Sequence, residues 1–446
     1  MSIEIGDDLT KLMDSGIEWI GEIPVDWTVK PLKLVAKFGK GLPITKDDLI
    51  EQGVPVVSYG QIHSKTNNGT HLQDDLIRFV SETYLESNLL SLGKKGDIFF
   101  ADTSEDYAGI GNAVLVDIDT PVFAGYHTVI VRPNDTSYSR YLAYLFLTDA
   151  WRSQLCSRAS GIKVFSITQG LLKKTTIILP PAEKVAVMTD YLDRKCSQID
   201  AIIVRQQEVI EKLKAYKLSV ITEAITKGLN PDVPMKDSGV EWIGEIPEHW
   251  QVAKIKYLAT IASGGTPDRS HPEYWNGSIN WAKTGELQNN ELYETEEKIT
   301  ELALENSSAK VFSVDTILVA MYGQGKTRGM TALLKVPSAT NQACAGITVY
   351  SKDITVSYLW LFLMGAYDAI REKANGSGQP NLSGTLIADF NVTLPPIEEQ
   401  MNICKMAAMR LPHIDSIIKQ KEAMVDKLTA YKKSLIYEVV IGKKEV

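Results

Sequence analysis

The sequence has 446 residues, of which 44% are hydrophobic and 23% are charged, and its formal net charge is −8 at pH 7. This length suits two or three domains with sizeable cores, and the sequence contains no low-complexity tract. It also lacks an apolar run long enough to cross a membrane, and its acidic N-terminus is unlike a secretory signal. We therefore expect a cytoplasmic protein.

The four cysteines are isolated from one another in the sequence, with neither a Cys-x-x-Cys pair nor a mixed Cys and His spacing. They are Cys156, Cys196, Cys344 and Cys404. Isolated cysteines of this kind predict buried thiols in a reducing compartment and no metal site.

The negative charge is concentrated in two short segments. Residues 1–26 hold one Lys against seven acidic residues, and residues 231–249 hold one Lys against five. The rest of the chain is nearly balanced, so a DNA-binding surface is not excluded, although no basic stripe points to one.

One segment of the sequence occurs twice in almost the same form. Residues 14–24 read Asp-Ser-Gly-Ile-Glu-Trp-Ile-Gly-Glu-Ile-Pro, and residues 237–247 repeat them with Val in place of the first Ile. Trp27 and Trp250 extend the match. Pro24 disfavours a helix through the first copy. We expect four apolar side chains of this copy to be buried: Trp19, Ile20, Ile23 and Trp27.

The interior of each half predicts a mixed, strand-rich domain. In the first half, β-type runs occupy residues 54–58, 97–101 and 128–131, and apolar spacing predicts a helix over 138–157. The second half follows the same order, with runs at 278–281, 315–320 and 346–350 and a helix over 357–373.

Each half ends in a pattern typical of a long helix, at about 182–227 and 397–441. Pro181 and Pro396 suit a first helical turn, and Glu183, Glu398 and Glu399 favour the positive helix N-terminus. The two helices carry matching apolar stripes, which favour their antiparallel pairing with each other. The alternative is that each stripe packs on its own domain. The predicted pairing residues are Ile199, Ile202, Val209, Leu213, Tyr216, Val220, Ile414, Ile417, Met424, Leu428, Tyr431 and Leu435.

Residues 320–327, Ala-Met-Tyr-Gly-Gln-Gly-Lys-Thr, match a Walker A loop except at the first position. A phosphate-binding loop must open a helix, whereas the run after this one is short and ends at Pro337. We therefore predict a hairpin between strands here. The sequence also shows no methyltransferase motif and no nuclease-like arrangement of acids and Lys, which argues against catalysis by this chain.

The repeated Ser-Gly-[Ile/Val]-Glu-Trp-Ile-Gly-Glu-Ile-Pro-x-x-Trp, and the Leu-Pro-Pro-x-Glu that opens each long helix, resemble the specificity subunit of type I restriction-modification systems. The resemblance covers essentially the whole chain. It implies an α+β fold in which two mixed, strand-rich target recognition domains are joined by two long antiparallel paired helices in a coiled coil, with pseudo-two-fold symmetry from internal duplication. The implied segments are residues 1–27 and 231–250 as repeat segments, 28–180 and 251–395 as recognition domains, and 181–230 and 396–446 as helices.

The resemblance further implies a non-catalytic subunit that binds double-stranded DNA, with each domain reading one half of a bipartite site. The implied partners are two modification (methyltransferase) subunits and restriction (translocase/nuclease) subunits. S-adenosylmethionine, ATP and Mg are then expected on those partners, with no cofactor or metal on this chain.

Base-edge readout needs polar side chains on rigid loops, and loop residues of both domains supply them. The first-domain candidates are Ser58, Tyr59, Gln61, His63, Lys65, Lys163 and Gln169. The second-domain candidates are Lys283, Thr284, Gln324, Lys326, Arg328, Asn341, Gln342, Gln379 and Asn381. Two other functions stay open on the sequence alone, a standalone DNA-binding regulator and a structural adaptor protein.

Overall fold

The structure, a computed structural model, describes residues 12–18, 20–159, 164–323, 325–374 and 381–446. The chain divides into two compact units. The first unit is Met1–Arg205 with Met424–Val446, and the second is Gln206–Ala423. Both contain strands and helices, so the expected α+β class is confirmed. Among the described helices, none combines the length and the apolar character needed to cross a membrane.

The first unit is built on short strands. The strands are β1 (Leu12–Asp14), β2 (Glu22–Pro24), β3 (Thr28–Pro31), β4 (Ala36–Lys40), β5 (Val54–Val57), β6 (Arg78–Val80), β7 (Leu92–Gly93), β8 (Ile98–Ala101), β9 (Thr103–Ser104), β10 (Ala113–Leu115), β11 (Val122–Ala124), β12 (Thr128–Pro133), β13 (Phe165–Ser166) and β14 (Thr176–Leu179). The helices are α1 (Leu32–Val35), α2 (Tyr59–Ile62), α3 (Tyr84–Ser87), α4 (Ser139–Phe146), α5 (Asp149–Cys156), α6 (Gln169–Lys173) and α7 (Ala182–Lys227).

Two four-stranded sheets form the centre of the first unit, one in the order β10-β8-β12-β4 and the other β6-β5-β11-β7. Side chains alternate across a strand, so β8 serves two cores. Phe99 points to the core shared with β5 and β11, whereas Ile98 and Phe100 face the core that contains α4 and α5. Because both faces are covered, β8 is apolar at every position.

The second unit has the same kinds of element. Its strands are β15 (Met235–Asp237), β16 (Glu245–Pro247), β17 (Gln251–Lys254), β18 (Ala259–Ser263), β19 (Trp275–Ala282), β20 (Asn290–Leu292), β21 (Glu297–Ile299), β22 (Ile317–Ala320), β23 (Thr331–Leu334), β24 (Ser338–Thr340), β25 (Cys344–Val349) and β26 (Asn391–Leu394). Its helices are α8 (Glu301–Glu305), α9 (Val356–Gly365), α10 (Tyr367–Glu372), α11 (Gly384–Ala388) and α12 (Ile397–Val440). The sheets run β18-β25-β22-β23-β20 and β21-β19-β24.

Each of the two helices predicted inside the halves is in fact a pair of helices. The run 138–157 breaks between α4 and α5, because Thr148 is extended and its hydroxyl accepts a hydrogen bond from the Trp151 N–H to start the second helix. The run 357–373 breaks after Gly365. A Cβ at Gly365 would lie 2.6 Å from Ile225 Cδ1 of α7, so the chain approaches that helix too closely for a larger residue.

The long helices begin and end where the sequence predicts, and each contributes one part to each unit. In the first unit, Lys432 Nζ lies 2.6 Å from Asp200 Oδ2, and Met188 lines the same cavity as Val439. The second unit contains the repeat-equivalent ion pair, Lys217 with Asp415 at 2.6 Å. There, Lys214 lies 3.8 Å from Glu422. Since numbers rise on one helix as they fall on the other, the predicted antiparallel pairing is confirmed within each unit.

The predicted apolar stripe is wider than the contact it makes. Ile199, Ile414 and Leu435 are buried as expected. Those half-buried are Val209, Leu213, Val220, Ile417 and Leu428. The prediction of a buried pairing position is wrong for Ile202, Tyr216, Met424 and Tyr431, which are exposed. A single partner helix covers only a narrow seam, so the outer residues of a broad stripe remain in solvent.

A buried tyrosine ties each unit to the end of a long helix. Tyr141 is fully buried, and its hydroxyl lies 2.8 Å from the carbonyl oxygen of Val440 and 3.0 Å from that of Ile178. In the second unit, the hydroxyl of Tyr358 lies 3.3 Å from the carbonyl of Ile225. Burial raises the pKa of both tyrosines. Both hydroxyls therefore stay protonated as donors.

The repeated Trp segments form the two-stranded sheets β1-β2 and β15-β16, in agreement with the expectation that Pro24 excludes a helix. Ile20, Ile23 and Trp27 are buried as expected. Trp19 lies outside the described residues.

A hydrogen-bonded pair lies beside each of the two Trp residues, but the donor and the carboxylate have exchanged places between the units. In the first unit, Lys184 Nζ lies 2.7 Å from Asp26 Oδ2. At the corresponding place of the second unit, His249 Nε2 lies 2.6 Å from Glu399 Oε1. Glu399 also accepts a hydrogen bond from the indole N–H of Trp250 at 2.9 Å, whereas the buried Trp27 indole N–H finds no acceptor among the described residues.

The prediction of buried cysteines holds for Cys196 and Cys344, while Cys156 and Cys404 are only half-buried. Within the described ranges, no cluster of His, Cys, Asp and Glu is suited to hold a metal ion.

Candidate nucleic-acid interface

Loops of each unit converge at one edge of its sheets through the same pair of backbone hydrogen bonds. In the first unit, the Asp102 N–H donates to the His127 carbonyl at 3.0 Å, and the Ile167 N–H donates to the Asp102 carbonyl at 2.7 Å. In the second unit, the Met321 N–H donates to the Ala343 carbonyl at 2.8 Å, and the Leu382 N–H donates to the Met321 carbonyl at 3.0 Å. The repeat has thus kept the framework of this edge.

We name the two groups of converging loops by their described residues. The first loop face comprises residues 41–44, 58–65, 102–112, 125–127 and 164–170. The second loop face comprises residues 264–268, 283–287, 321–323, 325–330, 341–343 and 381–384. Further backbone hydrogen bonds hold each face together. For example, the Leu42 N–H donates to the Ala124 carbonyl at 2.8 Å, and the Gly265 N–H donates to the Thr340 carbonyl at 2.8 Å.

A short helical turn stands at the same place in both faces. The Ser58 N–H donates to Gln61 Oε1 at 3.2 Å, and the Lys283 N–H donates to Glu286 Oε2 at 2.7 Å. Ser58 itself is only 1% exposed, so its side chain cannot reach a nucleic acid in this structure. Ser58 therefore leaves the candidate set. Its predicted place in a strand is also wrong, because β5 ends at Val57 and Ser58 is the N-cap of α2.

The structure places the other described first-unit candidates on the first loop face. Tyr59 is half-buried, with its ring against those of Tyr126 and His127. His63 is fixed by both ring nitrogens, since Nε2 lies 2.7 Å from the Thr103 carbonyl and Nδ1 lies 3.0 Å from Asn112 Nδ2.

Two more first-unit candidates can be placed. Gln169 donates from Nε2 to the Gly39 carbonyl at 2.8 Å, which leaves its amide oxygen free of that bond. Lys65 is exposed, and Lys163 lies outside the described residues. The side chains of His63 and Gln169 thus form hydrogen bonds within this unit, while Lys65 is an accessible cation.

In the second unit, Lys283 is held by two carboxylates, Glu296 at 2.8 Å and Glu297 at 3.2 Å. The hydrogen bond to Glu296 is the largest cause of a raised pKa for Lys283. Lys326 and Gln342 are exposed. The half-buried candidates are Thr284, Arg328, Asn341 and Asn381. Gln324 and Gln379 lie outside the described residues.

The Walker-like stretch is a hairpin, as predicted. β22 and β23 are antiparallel neighbours, and the described residues between them, 321–323 and 325–330, form no helix whose N-terminus could hold a phosphate chain. A phosphate-binding loop depends on such a helix.

In each unit, an arginine that was not predicted from the sequence donates hydrogen bonds to this loop or to its counterpart. Arg371 of α10 donates to the carbonyls of Arg328 at 2.7 Å and Gly325 at 2.9 Å. Arg152 of α5 donates to Asn112 Oδ1 and to the Ala108 carbonyl at 3.5 Å in the matching loop. The sequence signal for these two residues was the presence of an Arg in the second helix of each helix pair.

Each loop face thus presents hydrogen-bonding side chains from several loops on a rigid, two-sheet support. Recognition of base edges needs donors and acceptors fixed in this way, while positioning on the phosphate backbone needs cations such as Lys65 and Lys326. The frameworks agree between the units, yet the side chains on them differ. Such an arrangement favours the binding of a different nucleotide sequence by each loop face.

Comparison with known proteins identifies a family over most of the chain. A family model described as the type I restriction modification DNA specificity domain matches residues 24–216 and again residues 247–422. The type I restriction enzyme MjaIX specificity subunit of Methanocaldococcus jannaschii is 33% identical over 188 residues, which are 40% of this chain and 41% of that one. The EcoKI specificity subunit of Escherichia coli K12 is 21% identical over 438 residues, covering 95% of this chain and 90% of that one.

The fold has a counterpart among solved structures. A chain from a study of complex assembly and conformational transition of the type I R-M system has a TM-score of 0.68 and 15% sequence identity. The match covers 95% of this chain and 99% of that chain.

Proposed function

This chain belongs to the type I restriction-modification DNA specificity family, and from that premise we propose that each of its units reads one half of a bipartite DNA site. The observation that carries the proposal is that the two units share the same backbone framework at the loop faces but place different side chains on it. Asp102 and Met321 make equivalent backbone bonds, as do His127 and Ala343. A duplicated scaffold with two different reading surfaces suits a site whose halves differ in sequence.

Direct readout in the major groove determines which side chains would select the DNA sequence. Each base pair presents a distinct set of donors and acceptors there, and good bidentate contacts discriminate by about 1–3 kcal/mol. Lys65 and Lys326 are exposed on the two faces and would neutralise phosphates. Gln342, whose Oε1 lies within hydrogen-bond reach of Thr266 Oγ1, is exposed for a base contact.

The long helices have two roles in the proposal. Their outer apolar side chains, among them Tyr216 and Tyr431, are exposed at repeat-equivalent positions. Such residues suit the docking of two modification subunits, one on each repeat of the surface, with restriction subunits joining the same assembly. The second role is to set the number of unread base pairs between the half-sites.

Chemistry in this assembly belongs to the partners. Methyl transfer to adenine would use S-adenosylmethionine on the modification subunits, and ATP with Mg would serve the restriction subunits. This chain contributes the choice of DNA sequence and carries no catalytic group of its own in the proposal.

A domain exchange tests the division of labour. Residues 28–180 are replaced by the equivalent domain of a relative, and the variant is co-expressed with the modification subunit before adenine methylation is mapped across a genome. We expect one half of the methylated sequence to change and the other half, with the gap, to stay. A change in both halves, or methylation by the purified chain alone, would contradict the proposal.

A further inference from the structure

His127 stands on the first loop face with an unusual backbone. Its φ is +53°, in the left-handed region that residues other than glycine rarely adopt. The surrounding structure holds it there, because the His127 carbonyl accepts the Asp102 N–H at 3.0 Å. Such strain is concentrated at functional sites, where the fold fixes a side chain for a purpose.

The side chain of His127 is fixed as firmly as its backbone. Nδ1 lies 3.0 Å from Asp102 Oδ1, and the ring meets those of Tyr59 and Tyr126 edge to face at centroid distances of 5.4 Å and 6.2 Å. Because an ionised carboxylate only accepts, the proton of the neutral ring must lie on Nδ1. The pair then offers two acceptors at its free edge, Nε2 of His127 and the second oxygen of Asp102.

Both residues are accessible to a ligand. They line an open cleft of about 630 Å³ together with Lys40, Ser166 and Gln169. The side chain of His127 is 56% exposed and that of Asp102 is 33% exposed. The second loop face has Ala343 and Met321 at these two places, neither of which can offer a comparable acceptor. The two loop faces therefore share a backbone framework, but only the first carries this acceptor pair.

We propose that His127 and Asp102 determine the base at one position of the half-site read by the first unit, by accepting a hydrogen bond from the exocyclic amino group of adenine or cytosine. This inference rests on the proposed function above. In the major groove, these amino groups are the donors that bases present, and Asp is suited to accept from cytosine. Tyr59 and Tyr126 restrict the ring, so the acceptor is placed before DNA arrives.

The test replaces His127 by Asn, a residue that adopts the left-handed backbone more readily than most. The left-handed backbone is thereby kept, while the amide is too short to place an acceptor where Nε2 of the imidazole lies. His71→Asn is the matched control, because His71 forms a similar pair with Asp117 at 2.8 Å, with 50% and 31% exposure, and neither residue lines the cleft. Both variants and the unaltered chain are co-expressed with the modification subunit, and methylated adenines are mapped.

We expect His127→Asn to reduce discrimination at one position of one half-site by roughly 5- to 150-fold, the effect of a single mismatched base pair. The other half-site and the gap should be unchanged, and Asp102→Asn should affect the same position. An unchanged motif in His127→Asn, a loss spread over both half-sites, or the same change in His71→Asn would overturn the inference. Failure of the unaltered chain to direct methylation to a two-part site would instead overturn the proposed function.

Discussion

Replacing Asp26 by His and Lys184 by Glu should give the first unit the arrangement that the second already has. In the second unit, Glu399 receives hydrogen bonds from both His249 and the Trp250 indole. In the first, Lys184 occupies the place of Glu399 and is itself a donor, so it cannot serve the indole of Trp27. The double substitution supplies the missing acceptor and keeps a hydrogen-bonded pair beside it.

The expected gain follows from the burial of Trp27, which is only 4% exposed. A buried donor without a partner costs about 1–3 kcal/mol. Lys184 and Asp26 are 44% and 39% exposed, so replacing that ion pair by a His and Glu pair changes the free energy of unfolding by less than about 1 kcal/mol. We therefore expect the free energy of unfolding of the first unit to rise by about 2 kcal/mol, or roughly 4–8 °C in Tm for a unit of this size.

Calorimetry and urea unfolding followed by Trp fluorescence would measure this gain. Lys184→Glu alone should gain less, because it sets the new carboxylate against Asp26. The reverse exchange, His249→Asp with Glu399→Lys, should destabilise the second unit by a similar amount, since it leaves the Trp250 indole without its acceptor. If both exchanges leave the unfolding of their units unchanged, the indole bond does not stabilise the fold and the reasoning is refuted.

Two further predictions concern the long helices. Inserting seven residues after Lys214 and seven after Thr429 keeps the heptad and lengthens each helix by roughly 10 Å, or about three base pairs. Methylation mapping should then show both half-sites intact with a longer gap, and an unchanged gap at full activity would exclude the helices as the spacer. Tyr141→Phe should lower the stability of the first unit by about 1–3 kcal/mol. Tyr358→Phe should cost less, because Thr393 Oγ1 still donates to the Ile225 carbonyl at 2.7 Å; equal losses in urea unfolding would contradict this explanation.

The sequence predicted those parts of the fold that depend on local pattern and on repetition. The two long helices follow from apolar spacing and from the Pro residues at their starts, and the hairpin over 321–330 follows from the short run after it. Patterns of this kind report the burial of one face of one element. They do not report how far that element continues, so the breaks at Thr148 and Gly365 were missed.

The candidate site was harder to predict, because a loop side chain is defined by neighbours that are distant in the sequence. His63 has the chemistry of a base reader, yet Thr103 and Asn112 already engage both of its nitrogens. His127 is one of six histidines in the sequence, and only its place beside Asp102 in the open cleft separates it from the others. Composition and spacing contain no record of such contacts.

The bond between Tyr141 and Val440 has a consequence for synthesis. The first unit needs residues 424–446, which leave the ribosome only after the whole second unit has been translated. At about 5–20 residues per second, the wait between Arg205 and Met424 is roughly 10–40 s. During that time the apolar surface that will meet Leu435 and Val439 has no cover, while the second unit is contiguous and can complete itself. The part of the protein that is made first is therefore the part that matures last.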